Sequence, residues 1–282
     1  MTDEVYGATI AKRCLSRRLA EFRITAGYTA NQVCDMLNWG RGKVGRFEAN
    51  QWKRPEMSDI RDLVRIYQVG DAEREEVERL AVRCRVRPWW RDYGEIFCNE
   101  FPGYENDATS IRAYMPLVLP GLLQTPAYME AQLSTGSRPS SWRRAAVEAR
   151  LRRQQILNRT DGTAPGLSVV ITEASLLYRW GGREDRRAQL EHLTALSRRH
   201  AVDLRIQRFE DGPAGIHSMV NILGFPGDEP ALVFEQTDYS VTEVSNPESQ
   251  AGYIRSFERA CRAALAAEEA TIYLEKLAQR AE

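Results

Sequence analysis

Between Thr29 and Asn50 the chain reads TANQVCDMLNWGRGKVGRFEAN, and its cations are spaced for chemistry on a polyanion. Arg41, Lys43 and Arg46 fall on the side of a short helix opposite Val44 and Phe47, which are three apart and face inward. Two helices joined by a turn of about three or four residues form a unit whose second helix can enter a DNA major groove. An arginine on that helix can pair bidentately with guanine O6 and N7, a contact worth about 1–3 kcal/mol of discrimination. Cations set against phosphates add affinity that falls with salt and reads no sequence. From Lys12 to Arg54 there are ten basic and three acidic side chains. Residues 1–87 hold 17 Lys+Arg against 13 Asp+Glu and the remainder 22 against 26, so a net charge of zero hides a basic front. The bland reading of a basic stretch is a solvated helical face. Its opposition to Val44 and Phe47 favours DNA.

Other chemistries find little support in these residues. There is no GxSxG elbow, P-loop, HExxH or GxGxxG after a strand. His192, His200 and His217 have no Cys or carboxylate at ligand spacing, so no metal and no cofactor is expected. A hidden acid–base site would have to be assembled from the scattered Glu105, Glu173 and Glu235. Arg150, Arg152 and Arg153 read as a solvated or interface-facing stripe rather than a phosphate site. The expectation is that the protein is not an enzyme. Five cysteines (14, 34, 84, 98 and 261) are odd in number and form no CxxC pair, which argues for reduced thiols and a cytoplasmic location, and binding to DNA would make it nucleoid-associated. No run approaches the roughly 18 apolar residues of a membrane span, and no export signal is apparent at the N-terminus.

The elements that must position the basic residues read as helices. Leu15, Leu19, Phe22 and Ala26 recur at helical spacing, and Gly27 stops the first helix. Thr29 can cap the next, with Val33, Cys34 and Leu37 on its inner side. After the turn Asn38-Trp39-Gly40 a short helix is expected from about Arg41 to Ala49. Gly42 and Gly45 inside it would each cost about 1 kcal/mol relative to Ala, offset by packing of Val44 and Phe47. Such a helix is marginal alone and firmed up by DNA. Ser58 can cap a fourth helix through Ile60, Leu63, Val64 and Tyr67. Asp71 opens a fifth, ended by Pro88. Residues 1–87 are thus expected to form one five-helix domain.

From Trp89 the texture changes, and residues 88–282 are expected to form an α+β domain with a mostly antiparallel sheet and C-terminal helices. Trp89, Trp90, Tyr93 and Phe97 make an aromatic amphipathic stretch, which Phe101-Pro102-Gly103 is expected to break. Ile111–Leu119 looks extended. Residues 141–157 are expected to form a strongly basic helix, and 185–199 a further helix. Strands are expected at 167–171, 202–209, 219–225, 231–235 and 240–244, with Ala-rich helices from about Pro247. In Pro120–Tyr128, PGLLQTPAY, Pro120-Gly121 makes a turn, Leu122 and Leu123 go to the core, and Thr125-Pro126 supplies a cap and a first-turn proline.

The first part resembles the helix-turn-helix of phage-repressor type (Cro/C1, XRE) regulators. By that resemblance Arg41, Gly42 and Arg46 stand at base-reading positions with Lys43 beside them, while Thr29, Lys53 and Arg54 face phosphates. Gly42 departs from the usual Ser, Thr or Gln. Glu48 would form an architectural ion pair with Arg23 near the end of the first helix. In the second part, Trp89-Trp90, Ile111-Arg112-x-Tyr114, the Leu119–Tyr128 segment, Ala149-Arg150-Leu151-x-Arg153-Gln154 and Glu173-Ala174-x-Leu176 carry a second resemblance. They resemble an actinobacterial regulator family, WhiJ-like members included, in which a helix-turn-helix precedes the domain DUF5753. The resemblance implies a sequence-specific transcriptional regulator, a homodimer on a double-stranded DNA operator. Its second domain would sense a ligand or a small partner protein of the BldB or DUF397 type. The alternative is an antitoxin-like interaction protein that sequesters such a partner and only autoregulates.

Overall fold

Ile10, Cys14, Leu15 and Leu19 repeat at three- and four-residue intervals and are buried, which gives α1 (Ala8–Thr25) its inward stripe. The computed structural model describes residues 6–237 and 240–280. These divide into two units, with the division between Asp92 and Tyr93. In the first, Gly27 ends α1 in the left-handed region (φ +76°), where glycine carries no Cβ penalty. Thr29 then caps α2 (Ala30–Met36): its hydroxyl accepts from Gln32 N, and Gln32 Oε1 accepts from Thr29 N at 2.8 Å. The unit continues through α3 (Lys43–Glu48), α4 (Met57–Ile66) and α5 (Asp71–Arg83). Val33, Val44, Ile60, Leu63 and Val77 join the α1 stripe at 0–1% exposure, and burying each aliphatic side chain contributes about 1.5–3 kcal/mol.

Two local expectations are corrected here. The third helix begins at Lys43, because Gly42 sits before it with φ +82°, a left-handed conformation that no other residue adopts as cheaply. Gly42 is therefore a turn glycine, and only Gly45 carries an interior helix penalty. Ser58 does not cap α4, which starts two residues earlier than such a cap implies, at Met57 with Glu56 at its N-cap.

The second unit opens with α6 (Phe101–Asp107), where Pro102 is not a breaker: it lies in the first helical turn, where no backbone donor is needed. There follow β1 (Ser110–Met115), α7 (Pro126–Ser134), α8 (Ser140–Gln154), β2 (Gly166–Thr172), α9 (Glu173–Leu177), α10 (Arg183–Ser197) and β3 (Val202–Gln207). The chain then adds β4 (Met219–Gly224), β5 (Leu232–Gln236), β6 (Val241–Glu243), α11 (Pro247–Ala263) and α12 (Ala267–Arg280). The strands form one sheet in the order β3-β2-β1-β4-β5-β6. β1 pairs antiparallel with β4, as do β4 with β5 and β5 with β6, and Ala113 stands opposite Asn221. β1–β2 and β2–β3 are parallel, with Ala113 opposite Val169. These two pairings depart from the short-turn reading because the intervening helices α7–α8 and α9–α10 are crossover connections. On one face Tyr114, Val170, Val220, Ile222 and Val233 pack against Phe257 and Ala260 of α11.

The basic helix α8 is not a solvated stripe throughout. Arg153 Nε lies 2.5 Å from Glu105 Oε2, and Glu105 is 1% exposed. Burial pushes that carboxyl up, and Arg153 opposes the shift. Arg150 donates to Gln124 Oε1 at 3.1 Å and Gln132 Oε1 at 3.0 Å. Burial, reinforced by Arg153, lowers its guanidinium to about 10. Gln154 Nε2 donates to the carbonyls of Gly121 and Gln124, both at 2.8 Å, and Gln189 Nε2 to that of Leu123 at 2.8 Å. The PGLLQT segment is thus held by side chains that satisfy its backbone.

Glu105, Glu173 and Glu235 are each engaged by different groups. Glu173 accepts from Tyr273 Oη at 2.5 Å and Phe209 N at 2.9 Å. Glu235 accepts from Ser218 Oγ at 3.0 Å and from Tyr253 Oη. Among the described residues no helix is long and apolar enough to cross a membrane, and no group of three or more His, Cys, Asp or Glu could hold a metal ion.

Candidate nucleic-acid interface

A six-residue helix makes too few internal hydrogen bonds to hold its own shape, so α3 depends on what surrounds it. Val44 and Phe47 bury one side. Phe47 is flanked by two tryptophans, its ring centroid 6.4 Å from Trp39 and 5.7 Å from Trp52. Trp52 Nε1 donates to Phe47 O and to Ser16 Oγ, both at 3.1 Å, which fastens the segment after α3 to α1. Lys12 of α1 lies over the Trp52 ring at 5.5 Å. Asn50 ends α3 with φ +59° and accepts from Ser16 Oγ at 3.4 Å.

Ion pairs hold both ends of the helix. At its C-terminus Glu48 accepts two bonds from Arg23, from Nε at 2.6 Å and Nη2 at 3.0 Å. Arg23 Nη1 also donates to Tyr28 O at 2.6 Å, so one guanidinium joins α1, the entry to α2 and the end of α3. The hydrogen bond to Glu48 raises the Arg23 pKa. Tyr67 lies beside this pair, buried, and desolvation drives its phenol well above the ordinary range. At the N-terminus Lys43 Nζ sits 2.8 Å from Asp59 Oδ2 and 3.8 Å from the centroid of Trp39.

The outward side of α3 is different in character. Arg46 is exposed on it, as are Arg41 and Gly42 just before it and Ala49, Gln51, Lys53 and Arg54 after it. Among the described residues the side chains of Arg41, Arg46, Lys53 and Arg54 have no protein ion-pair or hydrogen-bond partner. A Cβ built on Gly42 or Gly45 would meet nothing within 4 Å, so this face presents arginine side chains above bare backbone. Thr29 is exposed at the start of α2, its hydroxyl engaged with Gln32. The structure therefore leaves Arg41, Gly42 and Arg46 exposed within six residues of chain, with Lys53 and Arg54 exposed after them. It ties Lys43 into the domain instead. Sequence reasoning missed the roles of Trp39 and Trp52. The signal was an aromatic residue on either side of Phe47, within reach of lysines at 12 and 43.

Two family models match the chain. Residues 15–86 match a helix-turn-helix domain, and residues 98–276 match a domain of unknown function, DUF5753. Neither the curated proteins nor the solved structures contain a match.

Proposed function

This chain belongs to the DUF5753 family, with a helix-turn-helix domain ahead of the family domain, and on that premise we propose that it is a sequence-specific transcriptional regulator. The helix-turn-helix match makes it a DNA-binding regulator in kind. The observation that carries the finer reading is that Arg41, in the turn before α3, and Arg46, on α3, stand exposed and without a protein partner, with Gly42 between them. Arg41 and Arg46 read guanines, each bidentately, while Gly42 allows close approach of the backbone. Lys53, Arg54 and Thr29 contact phosphates and fix the register. The protein acts as a homodimer on two half-sites about 34–36 Å apart. The DUF5753 domain is its input domain, responding to a small partner protein or ligand.

Selection of bound duplexes from a random-sequence pool by the full chain tests the reading. Enrichment of a two-part motif containing guanines supports it. Retention of random sequence, with no motif after repeated rounds, contradicts it.

A further inference from the structure

Lys43 is the first residue of α3, in the stretch whose cations face DNA, yet its charge is turned to the protein. Its ammonium is 2.8 Å from Asp59 Oδ2, and the two side chains are only 30% and 17% exposed. The same ammonium lies 3.8 Å from the centroid of Trp39, whose ring stacks with Phe47 at 6.4 Å and 30°. Asp59 belongs to the first turn of α4, where an acidic residue is favoured by the helix dipole. Lys43 thus joins three things: the start of the reading helix, the turn before it and the helix after it. At the opposite end the Arg23–Glu48 pair ties α3 to α1. A helix of six residues cannot fix its own axis, so the two ties, together with the packing of Val44 and Phe47, set the angle at which Arg46 is presented.

We propose that Lys43 is a positioning residue: with Asp59 and Trp39 it orients α3 for DNA and touches neither base nor phosphate. This rests on the regulator reading above and adds to it a division of labour among the cations of α3. The chemistry distinguishes it from a direct contact. Removing a carboxylate from a DNA-facing surface ordinarily strengthens binding, because repulsion of the phosphates is relieved. If Asp59 works by holding Lys43, removing its charge weakens operator binding instead.

The test uses the full chain with the variants Lys43→Met, Lys43→Arg, Asp59→Asn and the double variant Lys43→Met/Asp59→Asn. Binding is measured against the duplex that wild type selects from a random pool, and against an unselected duplex, over a range of salt. Circular dichroism melts establish that each variant is folded at the assay temperature. The expected result is a loss of about tenfold on the selected duplex for Lys43→Met and Asp59→Asn, the scale of one misaligned bidentate contact. The double variant loses no more than either alone, the salt slope stays that of wild type, and Lys43→Arg restores affinity because Arg can bridge the same partners. Asp59→Asn binding as tightly as wild type or more so overturns the proposal. So does a salt slope smaller by about 1 in Lys43→Met, the mark of a lost phosphate contact, or a changed base preference in that variant. If Lys43→Met is unfolded at the assay temperature, Asp59→Asn and Lys43→Arg decide the question by the same criteria. Failure of wild type to select any duplex overturns the regulator reading itself, which separates that failure from failure of the clamp alone.

Discussion

Arg23 and Glu48 lie 25 positions apart and face each other as a two-bond pair, with side chains 17% and 14% exposed. The pair joins the first helix to the end of α3. Removing one partner leaves the other charge largely buried. Arg23→Met or Glu48→Ala is expected to destabilise the unit by about 2 kcal/mol, the range for hydrogen bonds to charged groups. Hydrogen exchange of the α1 and α3 amides checks this: protection should fall there and stay unchanged in the sheet of the second unit.

Lys53 and Arg54 follow α3 in an exposed stretch and have no described protein partner. In the proposed role of phosphate contacts they would carry affinity without sequence preference. Lys53→Ala is expected to weaken binding to selected and unselected duplexes alike, and to reduce the salt slope by about 1. A loss confined to the selected duplex would instead make Lys53 a base reader.

The two glycines of the reading segment should respond oppositely to alanine. Gly45 lies inside α3 and a Cβ there meets nothing within 4 Å, so Gly45→Ala should stabilise the helix by about 1 kcal/mol. Gly42 has φ +82°, and Gly42→Ala should destabilise it, since a Cβ opposes that conformation whatever the space. Thermal melts of the two variants give the sign directly.

The second unit contains a histidine whose burial matters to acid stability. Desolvation holds His192 of α10 below its ordinary pKa. In the unfolded chain a histidine titrates near its reference value of about 6.5. As pH falls through that value the unfolded state takes up the proton first, so stability present above it declines until the folded-state pKa is passed. Hydrogen exchange in α10, corrected for the intrinsic pH dependence of amide exchange, should accelerate as pH falls through about 6.5, and His192→Gln should abolish that component.

Much of the first unit was legible because its signals are local. The spacing of Leu15 and Leu19, the cap at Thr29 and the stop at Gly27 each act within a turn or two of the chain. The sequence places the start of α3 two residues early, at Arg41, because a positive φ at Gly42 cannot be told from an interior helical glycine without the backbone. In the second unit the strand positions came through from β-branched runs such as Leu167–Ile171. The parallel pairings did not, because direction is decided by where α7–α8 and α9–α10 cross the sheet. Arg150 and Arg153 read as a solvated or interface-facing stripe, since arginine is seldom buried. Their inward turn depends on Glu105, Gln124 and Gln132, which lie 18 to 48 positions away.

The central claim is that the outward face of α3 reads DNA sequence, and Arg46 tests it most directly. Wild type and Arg46→Ala should each be used to select duplexes from the same random pool and then be titrated on the wild-type selection. The account predicts a guanine-containing motif for wild type, with preference at one guanine of each half-site lost in Arg46→Ala and binding to random duplex little changed. An identical motif from both proteins, or equal losses of affinity on selected and random duplex, would contradict it.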